Sequence, residues 1–155
     1  MCQRQIELNY PNKKIVSHSP SDNDPQWLER SRNAYIDLYG RPPRWDALGA
    51  HTYQRVDEAK ATLLWFVDKA KEWGVPEVWV TEYATMPCRY ASVDETLQAG
   101  RDLTRWIREQ PTITRFAWYG ARLRPGDGWP GECITPLADY DTGSLTIWGD
   151  MYRDQ

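Results

Sequence analysis

Cysteine, histidine and phenylalanine are scarce in this chain, and each scarcity excludes something. The three cysteines, Cys2, Cys88 and Cys133, stand far apart with no CxxC pair. Neither a disulfide framework nor a zinc site follows from them, although a single bridge stays open. Two histidines, His18 and His51, occur without an HExxH arrangement, so no motif supports a metal and no cofactor is expected. No Walker-type phosphate loop and no GxSxG elbow is present, which removes the usual supports for nucleotide chemistry and for a serine triad. A net charge of -3 leaves no domain-wide basic field for nucleic acid. No apolar run approaches the roughly 20 residues of a membrane span. Met1 to Tyr10 holds no apolar stretch of signal-peptide kind, so the chain starts like a cytosolic protein or like a piece of a longer one. Finally, 155 residues fall short of the roughly 250 of a complete (β/α)₈ barrel.

What the chain does contain is Trp and Tyr, nine of each against two Phe. These side chains combine an apolar face with a polar edge, as a half-polar ligand such as a sugar requires, but they also fill cores. Lys14 to His18 reads as a short strand before a Ser/Asp/Pro loop. Trp27, Ala34, Tyr35 and Leu38 give a helix closed by Gly40, and Trp45 to His51 a second strand. Val56, Ala59, Leu63, Phe66, Val67 and Ala70 form the stripe of a long helix, with Gly74 and Pro76 at its end. Glu77 to Ala84 reads as a strand. Ser92 and Glu95 form a capping box for a helix faced by Val93, Leu97, Gly100, Leu103, Trp106 and Ile107. Ile113 to Tyr119 is the fourth strand; a Gly/Pro-rich loop from Arg124 to Glu132 follows, and the last residues start a helix.

Strand starts near Lys14, Asp46, Val78 and Ile113 are spaced by 32, 32 and 35 residues. Such β-α-β units predict an α/β fold with a parallel sheet and right-handed crossovers. The repeat fits four consecutive units of a TIM-type (β/α)₈ barrel, and an open four-stranded sheet fits it equally. In either case a site belongs beyond the C-terminal strand ends. There the sequence offers His18, then His51 and Tyr53, then Glu82 and Tyr83, then Trp118 and Tyr119. Glu82, directly after Val78-Trp79-Val80-Thr81, suits a nucleophile or an electrostatic stabiliser for an oxocarbenium-like transition state. His51 could orient it, and the Tyr53 phenol could donate to it. Trp118 offers a face for a pyranose.

These residues carry a resemblance. Val78-Trp79-Val80-Thr81-Glu82-Tyr83-Ala84 is similar to the seventh strand of clan-A glycoside hydrolase barrels, which ends in the nucleophile. Lys13 to Ser17 with Trp27-Leu28 resembles strand five and its helix, and Asp46 to Tyr53 resembles a strand six ending His-Trp-Tyr. Arg115 to Tyr119 resembles strand eight; Ser144 to Thr146 with Gly149 and Tyr152 resembles a closing "L-T-P-L-G-x-x-Y". Together they resemble the Asl1-like glycosyl hydrolase catalytic core family, related to family 128 endo-β-1,3-glucanases. The resemblance implies Glu82 as nucleophile, His51 and Tyr53 as its supports, and Trp118, Tyr119 and Tyr83 as substrate-binding residues. Thr52 departs from the aromatic of strand six, which would remove a stacking surface; Ile147-Trp148 departs from Pro-Leu in the closing motif.

The family's proton-donating Glu ends strand four, after Asn, upstream of this chain's motifs. Before Lys13 the only acidic residue is Glu7, in a segment that reads as the end of a helix. The expected organisation is therefore residues 1–10 as the end of a preceding helix and residues 11–155 as strands five to eight, a half barrel. As an enzyme it would be part of a retaining glycoside hydrolase acting on a β-glucan, inactive alone for want of its acid. The alternatives are a non-catalytic glycan-binding chain, or a structural half that self-associates or pairs with a separate N-terminal half. Members of the family are often secreted or associated with the cell wall.

Overall fold

The computed structural model describes residues 2–20, 24–124 and 133–155. Its helices are α1 (Cys2–Asn9), α2 (Gln26–Tyr39), α3 (Val56–Trp73), α4 (Val93–Glu109) and α5 (Ile147–Arg153). Its strands are β1 (Ala47–Thr52), β2 (Glu77–Tyr83) and β3 (Ile113–Trp118). The strands pair in parallel in the order β1-β2-β3. Most of the Gly/Pro-rich loop read after Arg124 lies outside the described residues.

The helix signals act as their chemistry dictates. Gly40 and Gly74 both take φ of 68° and close α2 and α3 in the left-handed region, where a Cβ would be strained. The Ser92 hydroxyl caps α4 by accepting from the Glu95 amide at 3.1 Å. The Glu95 carboxylate returns to the amide of Ala91, one residue earlier than a capping box requires. The α3 stripe buries Ala59, Leu63, Phe66 and Ala70. They pack, with Leu103 and Ile107 of α4, against Leu48, Ala50, Val78, Val80 and Ile113 of the sheet. One face of the sheet is thus covered by helices, and among the described residues the other is open.

Two expectations need correction. The α2 stripe is displaced: Leu28 and Tyr35 are buried, whereas Trp27 is 47% and Leu38 74% exposed. Leu28 and Tyr35 lie seven residues apart on one line of the helix. Trp27 and Leu38 sit about a quarter turn to its side at 3.6 residues per turn. The first expected strand is reduced to a single parallel bridge, Val16 to Ala47. The Ser17 amide donates to the Ala47 carbonyl, but the Gly49 amide turns to the Ser17 hydroxyl at 2.9 Å. A side chain has replaced the backbone acceptor, and the ladder stops.

Helix α1 is held by one carboxylate. Glu7, 8% exposed, accepts from the Arg41 guanidinium, from Tyr35 Oη at 3.0 Å and from the Arg44 amide at 2.8 Å. Burial pushes its pKa up, but Arg41, the Arg44 amide, Tyr35 and Gln3 outweigh it and hold the value at about 2. The unfolded chain takes up this proton near pH 4.5 and the folded one only near 2. Stability from Glu7 is therefore complete above pH 4.5 and lost as pH falls toward 2. After solvent screening it amounts to about 1–2 kcal/mol. Melting temperature measured from pH 5 to 2 should fall more steeply in the wild type than in Glu7→Gln; parallel curves would contradict this role.

Candidate active site

Strict alternation along β2 would place Glu82 on the same face as Val78 and Val80, under the helices. The structure avoids this with an irregularity in register. Ala50 pairs with Val80 and His51 with Glu82, so Thr81 has no partner on β1. Across β3, Val80 pairs with Phe116 and Tyr83 with Trp118, and the same extra residue appears. This bulge turns Glu82 to the open face and returns Tyr83 to the helix side, where it is fully buried.

On the open face Glu82 meets two of its expected neighbours. Tyr53, just past the end of β1, donates its phenol to Glu82 Oε2. His51 Nδ1 lies 3.6 Å from the same oxygen, an ion-pair distance when the ring is protonated. The Glu82 side chain is 37% exposed and that of His51 21%. Both contacts fall on the same carboxylate oxygen, Oε2. The Tyr119 ring stands edge-on to Tyr53 with centroids 5.6 Å apart. It remains half-buried.

Lower on the open face, Glu77 gathers charge and hydrogen bonds. It accepts from Lys14, from Trp79 Nε1 at 2.7 Å and from Thr114 at 2.8 Å. The Lys14 ammonium foremost, then the Trp79 and Thr114 donors, hold its pKa down at about 2. The Arg115 guanidinium covers the Trp79 ring at 4.5 Å. This layer braces β2 below the bulge.

Three expected contributors lie elsewhere. Trp118 is 6% exposed; its Nε1 donates to the Thr135 carbonyl at 2.9 Å, and its ring packs against Tyr83 and Tyr152. It belongs to the helix-facing core, and the neighbouring Tyr119 is the residue of this strand end that packs against Tyr53. Tyr83 bonds Thr104 at 3.0 Å on that same side, and burial pushes its phenol pKa up. Thr52 is also helix-facing and fully buried, so its side chain does not face Glu82. His18 packs edge-on to Trp27 at 4.3 Å and Trp45 at 5.9 Å; burial lowers its pKa.

The single bridge that the sequence left open is formed. Cys88 and Cys133 form a disulfide with Cα atoms 5.1 Å apart. They follow β2 and β3, neighbouring strands, and a separation of 45 residues hid that proximity from the sequence. Ser19 is a residue the sequence reading missed: its hydroxyl lies 2.9 Å from that of Thr81. Among the described residues no cluster of three His, Cys, Asp or Glu could hold a metal, and no helix is long and apolar enough to cross a membrane. A larger surface groove, with Arg55, Tyr90, Asp102 and Trp106 in its walls, lies between α3 and α4 and does not include Glu82.

Comparison with known proteins agrees with this fold. The open parallel sheet is consistent with a partial (β/α) barrel. An endo-β-1,3-glucanase of GH128 subgroup II from Pseudomonas viridiflava is 26% identical, with a TM-score of 0.68 over 96% of this chain and 57% of its own. A curdlan-specific exo-β-1,3-glucanase of subgroup III from Blastomyces gilchristii, in complex with glucose, is 16% identical with a TM-score of 0.71. It covers 99% of this chain and 59% of its own. A subgroup I endo-β-1,3-glucanase from Amycolatopsis mediterranei, in complex with laminaritriose, is 20% identical with a TM-score of 0.68 over 97% and 61%. The chain thus spans somewhat over half the length of these structures. No curated protein matches it by sequence. The model of the glycosyl hydrolase catalytic core matches residues 3–152, and the chain belongs to that family of GH128-like, Asl1-like glycoside hydrolases.

Proposed function

We propose that this chain is the C-terminal half of a retaining β-glucan hydrolase domain, with Glu82 as its nucleophile. The observation that carries the reading is the Glu82 carboxylate at a parallel strand end, turned by the bulge at Thr81 to the open face and held there by Tyr53. Tyr53 fixes Oε2, so Oε1 is presented to an anomeric carbon. Attack forms the glycosyl–enzyme ester as the leaving oxygen takes a proton, and water then releases the sugar with its configuration retained. His51, when protonated, adds positive charge beside the carboxylate, and Tyr119 supplies an apolar wall for the ring.

Retention also requires a second carboxyl about 5–5.5 Å from the first. Among the described residues, the contacts of the Glu82 carboxylate are a phenol and an imidazole. In this reading the acid is supplied by another segment above the open face, and the 155-residue chain alone releases no reducing sugar from β-1,3-glucan. The test is ¹H NMR of laminarihexaose hydrolysis by the protein with its barrel completed. The β-anomer should appear first; an α-anomer first would overturn the mechanism.

The half-exposed wall at Tyr119 also suits a glycan-binding chain without catalysis. Calorimetric titration with laminarihexaose separates the two readings. Heat that Tyr119→Ala removes, with no hydrolysis by the completed barrel, would favour binding alone. Self-association through the open face is a third possibility, and sedimentation across a concentration series tests it.

A further inference from the structure

We propose that Ser19 is a positioning residue for Glu82, acting through Thr81 across a gap in β1 that only glycine leaves open; this rests on the reading of Glu82 as the nucleophile. Thr81 is the unpaired residue of the bulge, and it is the bulge that turns Glu82 to the open face. A bulge residue has no ladder partner of its own, so something else must hold it. The Thr81 hydroxyl reaches the Ala50 carbonyl at 3.5 Å and the Ser19 hydroxyl at 2.9 Å. Thr81 has one hydroxyl proton. With that proton directed to Ala50, Ser19 donates to Thr81 Oγ1.

Ser19 comes from the segment beyond β1, so its side chain must pass over β1 to reach β2. It does so at Gly49. A Cβ there would collide with Ser19 Oγ and stand 2.9 Å from the Ser17 carbonyl oxygen. Ser17 fixes the same crossing, accepting from the Gly49 amide and donating to the His18 carbonyl, each at 2.9 Å. Three short residues therefore tie the segment after Ile15 to the bulge. Neither Ser19 nor Gly49 is a contact of the Glu82 carboxylate; they set where its backbone starts.

The test reads the Tyr53–Glu82 hydrogen bond directly, from the ¹³Cζ shift of Tyr53 in ¹³C-tyrosine-labelled chain. Glu82→Gln calibrates the shift caused by a weaker acceptor. Ser19→Ala should move Tyr53 Cζ in the same direction, Thr81→Val should do likewise, and the double variant should move it no further. Ser19→Thr, which keeps the hydroxyl, should restore the wild-type signal. In the protein with its barrel completed, Ser19→Ala should lower kcat roughly tenfold with KM unchanged, as misplacement of a reacting group does. A Tyr53 Cζ that stays at its wild-type position in both Ser19→Ala and Thr81→Val, with only the melting temperature lowered, would overturn the proposal. Thr81→Val, which preserves shape, keeps that outcome accessible should Ser19→Ala fold poorly. Unchanged hydrolysis in Glu82→Gln would instead overturn the nucleophile reading and leave the Tyr53 result standing.

Discussion

Glu82→Gln should abolish hydrolysis in the protein with its barrel completed, by roughly 10⁴-fold in kcat, the scale of loss when an attacking group is removed. The amide is no nucleophile, yet it matches the carboxylate in shape, and its oxygen can still accept from Tyr53. The side chain is 37% exposed, and the strand beneath it is fixed by Val78 and Val80, both fully buried. Stability should therefore change by less than about 1 kcal/mol. The pair of measurements is initial rate on laminarin and midpoint of denaturant unfolding. Retained activity with intact fold would remove Glu82 from the mechanism. Lost activity together with a collapse in stability would assign it a structural role instead.

The second large effect concerns the disulfide. Reducing Cys88–Cys133, or replacing both by Ser, should cost about 2–4 kcal/mol. The unfolded chain regains the freedom of a loop of 45 residues, and the chain-entropy relation puts the upper value near 4 kcal/mol. For a domain of this size that is a fall of about 10 °C in melting temperature. The bond also ties the loop after β2 to the segment whose Thr135 carbonyl holds Trp118. Calorimetry with and without reductant checks the figure. An unchanged melting point, with both thiols shown free by titration, would show that packing alone secures these loops.

Several features were legible because they depend on near neighbours along the chain. The α3 stripe, the glycine stops after Tyr39 and Trp73 and the Ser92 cap follow from local spacing and local hydrogen bonds, and the structure has each of them. The order of parallel strands followed from the repeat of apolar strands and amphipathic helices. The meeting of His51, Tyr53 and Glu82 was predictable because parallel neighbours end on the same side of a sheet.

Other features were decided by contacts distant in sequence. Periodicity assigns Glu82 to the face of Val78 and Val80; the bulge at Thr81 reverses that, and a bulge is a matter of register between strands. The same register gives Tyr119 the place beside Tyr53 and sends Trp118 into the helix-facing core. Cys88 and Cys133 become partners only once β2 and β3 lie side by side. Ser19 looks like an ordinary loop residue, and Ser17 like the end of a strand, until Gly49 is set beneath them. By itself the sequence determined the helices, the three strands from Ala47 onward and their order, and that a carboxylate ends the strand at Glu82, because periodicity and capping are local; the strand expected at Lys14 to His18 was not among them. Tertiary structure decided which way that carboxylate points and what stands around it, because side-chain direction at a bulge is set by the neighbouring strand.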